Sequence, residues 1–219
     1  MVKLYYANTN LVQEPEIFEN YLSKVNTQRR EKVLRCKQES DRRRSLLAGV
    51  LLRYALEQEG LCYHQLLFTQ NAYGKPVLAD EEKIFFSISH SGDYVICGIA
   101  DKEIGVDIEH SRRMVLQSKP DRRDCIAKKS FSREEYQLYE NAVDRNSCFL
   151  QLWTRKESYS KAMGRGLGMD FSKINVLGNS KKGQFWSDWL LEDYYVSVYL
   201  DADNMEAPKL LEWKEIKDV

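Results

Sequence analysis

The sequence lacks the features that mark several large classes of protein. Its 33 basic and 33 acidic residues cancel, so no overall field favours nucleic acid or a membrane as a partner. No apolar run is long enough to span a bilayer, and the first ten residues do not resemble a signal peptide. The five cysteines form no C-x-x-C pair, which favours reduced thiols over a disulfide framework. We therefore expect a globular cytoplasmic protein.

Several catalytic motifs are also missing. The sequence contains no Walker-type glycine loop, no H-E-x-x-H and no G-x-S-x-G. These absences weigh against nucleoside triphosphatases, zinc proteases and serine hydrolases. Any chemistry must therefore come from a different set of residues.

An acidic segment, residues 104–109, alternates strictly between apolar residues and others, as a strand with one buried face does. Asp107 and Glu109 share a face, and two strand rises place their α-carbons roughly 6 to 7 Å apart. Gly105 lies on the same face and is expected to leave it open. Two carboxylates at this spacing suit one hard cation, while an exposed polar face on an edge strand is the alternative explanation.

Two helical segments carry further charged residues. Residues 28–44 are rich in basic side chains and lead into an apolar helical stripe at residues 45–59, so they form either a solvated helical face or a site for a phosphate-rich ligand. Residues 148–163 form the second strong helix, in which Glu157 and Lys161 share one face. Such a pair is usually a surface ion pair, but Glu157 can also supply a third carboxylate.

The segments between these helices have recognisable local patterns. Pro76 holds Lys75 in an extended conformation within a turn at residues 73–76. His90 lies at the mouth of a predicted hairpin, where turn chemistry alone would explain it. Residues 111–129 are expected to form a polar, basic loop or short helix, and residues 132–135 form a capping box that begins another helix. Beyond the second strong helix, strands are expected at residues 175–177, 184–191 and 194–200, followed by a polar tail.

The order of these segments predicts an α+β fold with two similar α/β lobes. Residues 45–100 and 149–200 each run from a helix through a glycine-containing basic loop to strands. We place the lobes at residues 1–103 and 104–219, with the acidic strand at their junction. Clefts between lobes are preferred ligand sites, and three carboxylates there would suit magnesium bound to a polyphosphate. Those carboxylates are Asp107, Glu109 and Glu157, and the balancing cations are Arg44, Lys75, His90 and Lys161.

Four ordered motifs resemble those of the 4'-phosphopantetheinyl transferases of the long, surfactin-synthetase-activating type. They lie at residues 74–76, 86–90, 105–109 and 153–167, and residues 29–32 and 41–47 extend the similarity towards the amino terminus. The resemblance implies a monomer whose two lobes are related by a pseudo-twofold axis. It also implies transfer of the phosphopantetheine arm of coenzyme A to a serine of an acyl, peptidyl or aryl carrier protein, with release of 3',5'-ADP.

The resemblance also implies roles for particular residues. Magnesium would bind Asp107, Glu109 and Glu157, and Lys161 matches the family's catalytic lysine. Seven residues match positions that hold coenzyme A, with His90 and the basic amino-terminal residues serving its 3'-phosphate: Arg29, Lys32, Arg44, Ser45, Lys75, Ser89 and His90.

The chemistry of these side chains agrees with such a transfer. A serine hydroxyl needs a base, and we assign Glu157 as a metal ligand and as the base that acts directly or through water, with Glu135 as the alternative. Lys161 would stabilise charge on the leaving phosphate.

Two other functions stay open, namely a metal-dependent nuclease or phosphodiesterase and an inactive scaffold for carrier proteins. For a carrier protein, we expect an acidic surface to dock on the basic residues of 111–129, which are Arg112, Arg113, Arg122, Arg123, Lys128 and Lys129.

Overall fold

The computed structural model describes residues 2–81, 83–112, 120–178 and 183–214. Within these ranges it contains six α-helices and nine strands, so the predicted α+β class is confirmed. None of the described helices is both long and apolar enough to cross a membrane.

The first half of the chain wraps three helices around one face of a sheet. Its elements are β1 (Lys3–Asn8), α1 (Pro15–Lys24), α2 (Thr27–Arg35), α3 (Glu39–Gln58), β2 (Phe68–Gln70), β3 (Pro76–Leu78), β4 (Phe85–Ser91) and β5 (Tyr94–Ala100). The α3 helix is the centre of this half, because its apolar residues Leu46, Leu47 and Leu51 are fully buried against the sheet. It begins at Glu39, six residues before the predicted start, so the second part of the basic segment forms its first turns, while the first part lies in α2.

The second half packs a long helix on a smaller sheet. Its elements are β6 (Ile104–His110), α4 (Pro120–Ser130), α5 (Arg133–Asn141), α6 (Arg145–Ala162), β7 (Gln184–Leu190), β8 (Tyr194–Leu200) and β9 (Lys209–Glu212). Short 3-10 helices lie at Thr9–Val12, Tyr63–Gln65, Gly166–Gly168 and Phe171–Lys173. The strand order is β6-β8-β7 in this sheet and β4-β5-β1-β9 in the first.

The two sheets pack face to face through an apolar layer. Leu4 and Ile96 from the first sheet meet Ile104, Val106 and Ile108 of β6, all of them fully buried. This confirms the strand and its alternation at residues 104–109, but both of its faces are buried as far as Ile108, including the face of Asp107 towards α6. The resulting order of layers is α3, first sheet, second sheet and α6.

The chain returns to the first sheet at its end. β9 pairs with β1 in parallel, Lys3 opposite Lys209, and Trp213 packs into the core around α3. The sequence suggested only a polar tail here. The first sheet therefore takes a strand from beyond residue 104, and the division into lobes at residues 103 and 104 stays a prediction.

One further local expectation was wrong, since residues 175–177 form no strand. The segment 111–129 was expected to be a loop or a short helix, and its second half is the helix α4, while residues 113–119 lie outside the described part. The capping box is confirmed, since Ser132 Oγ accepts from the Glu135 amide while Glu135 accepts from the Ser132 amide.

Gly105 has a packing role rather than the open face that the sequence suggested. A β-carbon at this position would overlap the carbonyl oxygen of Ser158 and come within 2.5 Å of the Ala162 amide nitrogen. Both atoms belong to the backbone of α6 and cannot rotate away. Glycine is therefore what allows α6 to lie directly on β6.

We expect Gly105→Ala to lower the free energy of unfolding by about 2 kcal/mol or more, because the methyl group pushes α6 away from β6. Chemical denaturation measures this change. Gly168→Ala is the matched control, since no atom lies within 4 Å of a β-carbon there. Equal stability of the two variants would contradict the close packing.

Candidate active site

Serine side chains join the edges of the two sheets. Every second residue in the last part of β4 is a serine, and these are Ser87, Ser89 and Ser91. Ser89 Oγ donates to Asp107 Oδ1 at 2.8 Å, and Ser91 Oγ donates to Glu109 Oε2 at 2.7 Å. The serines of one edge strand therefore hold the two acids of the other.

Lys161, near the end of α6, completes this contact. Its ammonium lies 2.7 Å from Asp107 Oδ1 and 2.8 Å from Ser89 Oγ. Asp107 is 4% exposed, so its charge is removed from bulk solvent. Its second oxygen, Oδ2, is buried and has no hydrogen-bond partner among the described residues. Three elements, β4, β6 and α6, thus converge on one carboxylate.

The neighbouring glutamates respond to this buried charge. Burial, followed by the Asp107 carboxylate, raises the pKa of Glu109 to about 7. The same two causes, in the same order, raise the pKa of Glu157 to about 7. Each glutamate therefore feels the charge of Asp107, and an added cation would relieve the repulsion.

The donor chemistry fits a divalent metal ion such as magnesium. The three predicted ligands offer carboxylate oxygens, which hard cations prefer, and Asp107 Oδ2 is an orphaned acceptor. Among the described residues, however, no three histidine, cysteine or acidic side chains already form a metal-binding cluster. The acids are electrostatic neighbours, and their assignment as ligands stays a prediction.

A pocket of about 520 Å³ lies beside this acidic centre, and Lys161 belongs to its wall. Six of the seven residues expected to hold coenzyme A line it: Arg29, Lys32, Arg44, Ser45, Lys75 and His90. Ser89 does not line the pocket and binds Asp107 and Lys161 instead. The pocket is therefore strongly basic and reaches the acids through Lys161.

The basic side chains of the pocket are partly desolvated. Burial, followed by the charge of Lys161 and then of Arg44, lowers the pKa of His90. Burial and the charge of Arg29 lower the pKa of Lys32. Both shifts reflect a positive pocket that an anion would stabilise.

Two pocket residues on α3 differ in whether their polar atoms have hydrogen-bond partners. Arg44 is held by the Gly92 carbonyl at 3.0 Å and by Asp41 at 2.6 Å. Ser45 Oγ, by contrast, is buried and has no hydrogen-bond partner within the described ranges. That hydroxyl is available to a ligand in the pocket.

Glu135 has a structural role that argues against its use as a base. It is fully buried and pairs with the ammonium of Lys156 at 2.7 Å. It also accepts from the amides of Ser132 at 2.6 Å and Val176 at 2.7 Å. Lys156 extends the network to the Phe171 carbonyl. This closed set of contacts ties α5, α6 and the segment after α6 together.

Sequence reasoning missed two of these roles. Ser91 holds Glu109, and the alternation of serine at residues 87, 89 and 91 was an available signal. Lys156 pairs with Glu135, and no local signal in the sequence connects these two residues.

Comparisons with known proteins place this chain in one family. Residues 103–208 match the family model described as the 4'-phosphopantetheinyl transferase superfamily, and residues 13–102 match the amino-terminal model of 4'-phosphopantetheinyl transferases. The chain is 33% identical to 4'-phosphopantetheinyl transferase Sfp of Bacillus subtilis over 180 residues. This alignment covers 80% of this chain and 76% of that protein. It is 30% identical to 4'-phosphopantetheinyl transferase gsp of Aneurinibacillus migulanus, over 76% of this chain and 68% of that protein.

These matches identify a group-transferring enzyme, and its structure has a basic pocket beside an acidic centre. The chain belongs to the 4'-phosphopantetheinyl transferase superfamily, which confirms the resemblance found in the sequence. It is accordingly an enzyme of the phosphopantetheinyl transferase class.

We expect Lys156→Met to lower the free energy of unfolding by about 3 kcal/mol, because it leaves the Glu135 carboxylate buried without its cation. Urea denaturation measures the loss. Lys173→Met is the control, since Lys173 forms an exposed pair with Asp170 and should cost less than about 1 kcal/mol. If Lys156→Met lowered the free energy of unfolding no more than the control does, the buried pair would not be needed for stability.

Proposed function

We propose that this enzyme transfers the 4'-phosphopantetheine arm of coenzyme A to a serine hydroxyl of an apo carrier protein and releases 3',5'-ADP. The observation that carries the proposal is the continuity of the basic pocket with Asp107 through Lys161. Coenzyme A has a nucleotide with a 3'-phosphate at one end of a diphosphate and pantetheine at the other. A basic pocket leading to an acidic centre matches that distribution of charge.

The pocket residues would bind the nucleotide end. Arg29, Lys32 and Arg44 supply positive charge for the 3'-phosphate, and His90 and the hydroxyl of Ser45 can donate hydrogen bonds to its anionic oxygens. Lys75 donates to the Ala162 carbonyl and Ser89 accepts from Lys161, so both would lie beside the diphosphate at the end of α6. The lining of the pocket supports these assignments for every residue except Ser89.

Magnesium would be held by Asp107, Glu109 and Glu157, whose carboxylates suit it. When bound, the ion neutralises charge on the diphosphate and polarises it for attack. The support for this assignment is the orphaned Asp107 Oδ2 and the raised pKa of both glutamates, which burial and then the charge of Asp107 cause.

The residues of this chain would guide the transfer. The carrier serine oxygen attacks the phosphorus that bears pantetheine, and the bond from that phosphorus to the oxygen of 3',5'-ADP breaks. Glu157 accepts the serine proton, and Lys161 stabilises the charge that develops on the leaving phosphate. Lys161 is held for this task by Ser89 and Asp107.

Carrier proteins would dock on four exposed basic residues, Arg122, Lys128 and Lys129 of α4 and Arg112 after β6. Arg123 is buried and bonds to Asn146, so it is unsuitable, and Arg113 lies outside the described residues. Acyl, peptidyl and aryl carrier domains are all compatible with this surface. We further propose a cytoplasmic monomer, in keeping with five cysteines that are all described and all free.

We expect the protein, mixed with coenzyme A, magnesium and an apo carrier protein, to raise the carrier mass by one phosphopantetheine group. Intact-protein mass spectrometry measures the gain, and a carrier with its acceptor serine changed to alanine is the control. No gain across acyl, peptidyl and aryl carriers would contradict the proposal.

Asp107→Ala should lower the rate of transfer by about a hundredfold or more, since it removes a metal ligand and the partner of Lys161. Thermal unfolding should change little, because the loss of the ion pair is offset by relief of repulsion on Glu109 and Glu157. Calorimetry should also show that magnesium no longer strengthens coenzyme A binding. Asp188→Ala, at an exposed acid of β7, is the control. Full activity of Asp107→Ala would remove the metal assignment.

A further inference from the structure

Asn71 organises the turn that forms one wall of the pocket. Its side-chain oxygen accepts from the amides of Tyr73 at 2.9 Å and Lys75 at 3.0 Å. Its backbone amide donates to the Lys75 carbonyl at 2.9 Å, and its backbone carbonyl accepts from the Gly74 amide at 3.0 Å. Four hydrogen bonds from one residue therefore fix the shape of residues 71–75.

The same side chain also crosses to the other half of the molecule. Asn71 Nδ2 donates to the Gly164 carbonyl at 2.8 Å, just beyond the end of α6. Gly164 has a φ of 65°, and a β-carbon there would overlap Asn71 Nδ2. The contact thus uses glycine both for its backbone conformation and for the space it leaves.

Lys75 makes a second connection to the end of α6. Its ammonium donates to the Ala162 carbonyl at 3.2 Å and pairs with Glu103 at 2.7 Å. The last carbonyls of a helix have no partners within the helix. Asn71 and Lys75 therefore cap the end of α6 from the opposite half of the chain.

These contacts set the width of the pocket. Tyr73 and Lys75 line one wall, whereas Lys161 and Gly164 line the other. Asn71 is not part of the lining, yet it bonds to both walls. We propose that Asn71 is a positioning residue for coenzyme A, holding the turn at residues 71–75 at a fixed distance from the end of α6. This inference rests on the proposed function.

Asn71→Asp separates the two tasks of the side chain. The carboxylate keeps an acceptor for the Tyr73 and Lys75 amides, but it replaces the donor to Gly164 with an oxygen that repels the carbonyl. We expect the Kd and KM for coenzyme A to rise about tenfold, or about 1.4 kcal/mol. The KM for the carrier protein and kcat should change less than about twofold, since Lys161 keeps its bonds to Asp107 and Ser89.

Two further variants make the test specific. Asn141→Asp is the control, because it also exchanges an amide donor to a carbonyl for a carboxylate, at an exposed position on α5. Asn71→Ala loses the turn bonds as well, so its Kd should rise at least as much and its melting temperature should fall. Calorimetry gives the Kd without requiring transfer.

The possible outcomes are distinct. If wild-type protein transfers phosphopantetheine and Asn71→Asp binds coenzyme A equally well, the positioning role is wrong and the proposed function stands. If Asn71→Asp weakens coenzyme A and the carrier protein alike, the residue is merely structural and the inference is again overturned. If wild-type protein does not bind coenzyme A, the proposed function itself fails.

Discussion

The contact between Lys161 and Asp107 is the interaction on which the site depends. It joins the end of α6 to β6, and Ser89 adds β4 to the same point. Such a contact requires the helix to lie close to the strand, and Gly105 permits that approach two residues before Asp107. The functional pair and the packing glycine are therefore parts of one arrangement.

The protein uses buried charge in two contrasting ways. Glu135 and Lys156 are both fully buried, and backbone groups complete their hydrogen bonding, so this pair has nothing left to offer a ligand. Asp107 is nearly as buried but keeps one oxygen without a partner among the described residues. A buried charge with incomplete bonding is costly unless something else binds it. The difference in bonding separates the structural pair from the candidate catalytic one.

Local patterns in the sequence predicted several of the helices and strands, and the resemblance to the transferase family supplied most of the pocket residues. The alternation in residues 104–109, the capping box at Ser132 and the helix carrying Glu157 and Lys161 all have signals within a few residues. Features that depend on partners distant in the sequence had no such local signal. Asn71 and Gly164 are 93 residues apart, and β9 is a four-residue strand that forms only because β1 offers it an edge. Their roles follow from the tertiary fold alone.

The meeting of two sheet edges explains why polar residues gather at the site. β4 and β6 each end their own sheet, so each has backbone groups without a neighbouring strand. Ser87 Oγ accepts from the Val106 amide at 3.0 Å, and Ser91 Oγ accepts from the His110 amide at 3.1 Å. Serine hydroxyls thus take the place of some of the backbone hydrogen bonds that a neighbouring strand would make. Polar side chains are therefore concentrated along the seam, which is the line where β4 meets β6. The hydroxyl groups that close the seam also hold Asp107 and Glu109, so the seam places the acids beside the pocket.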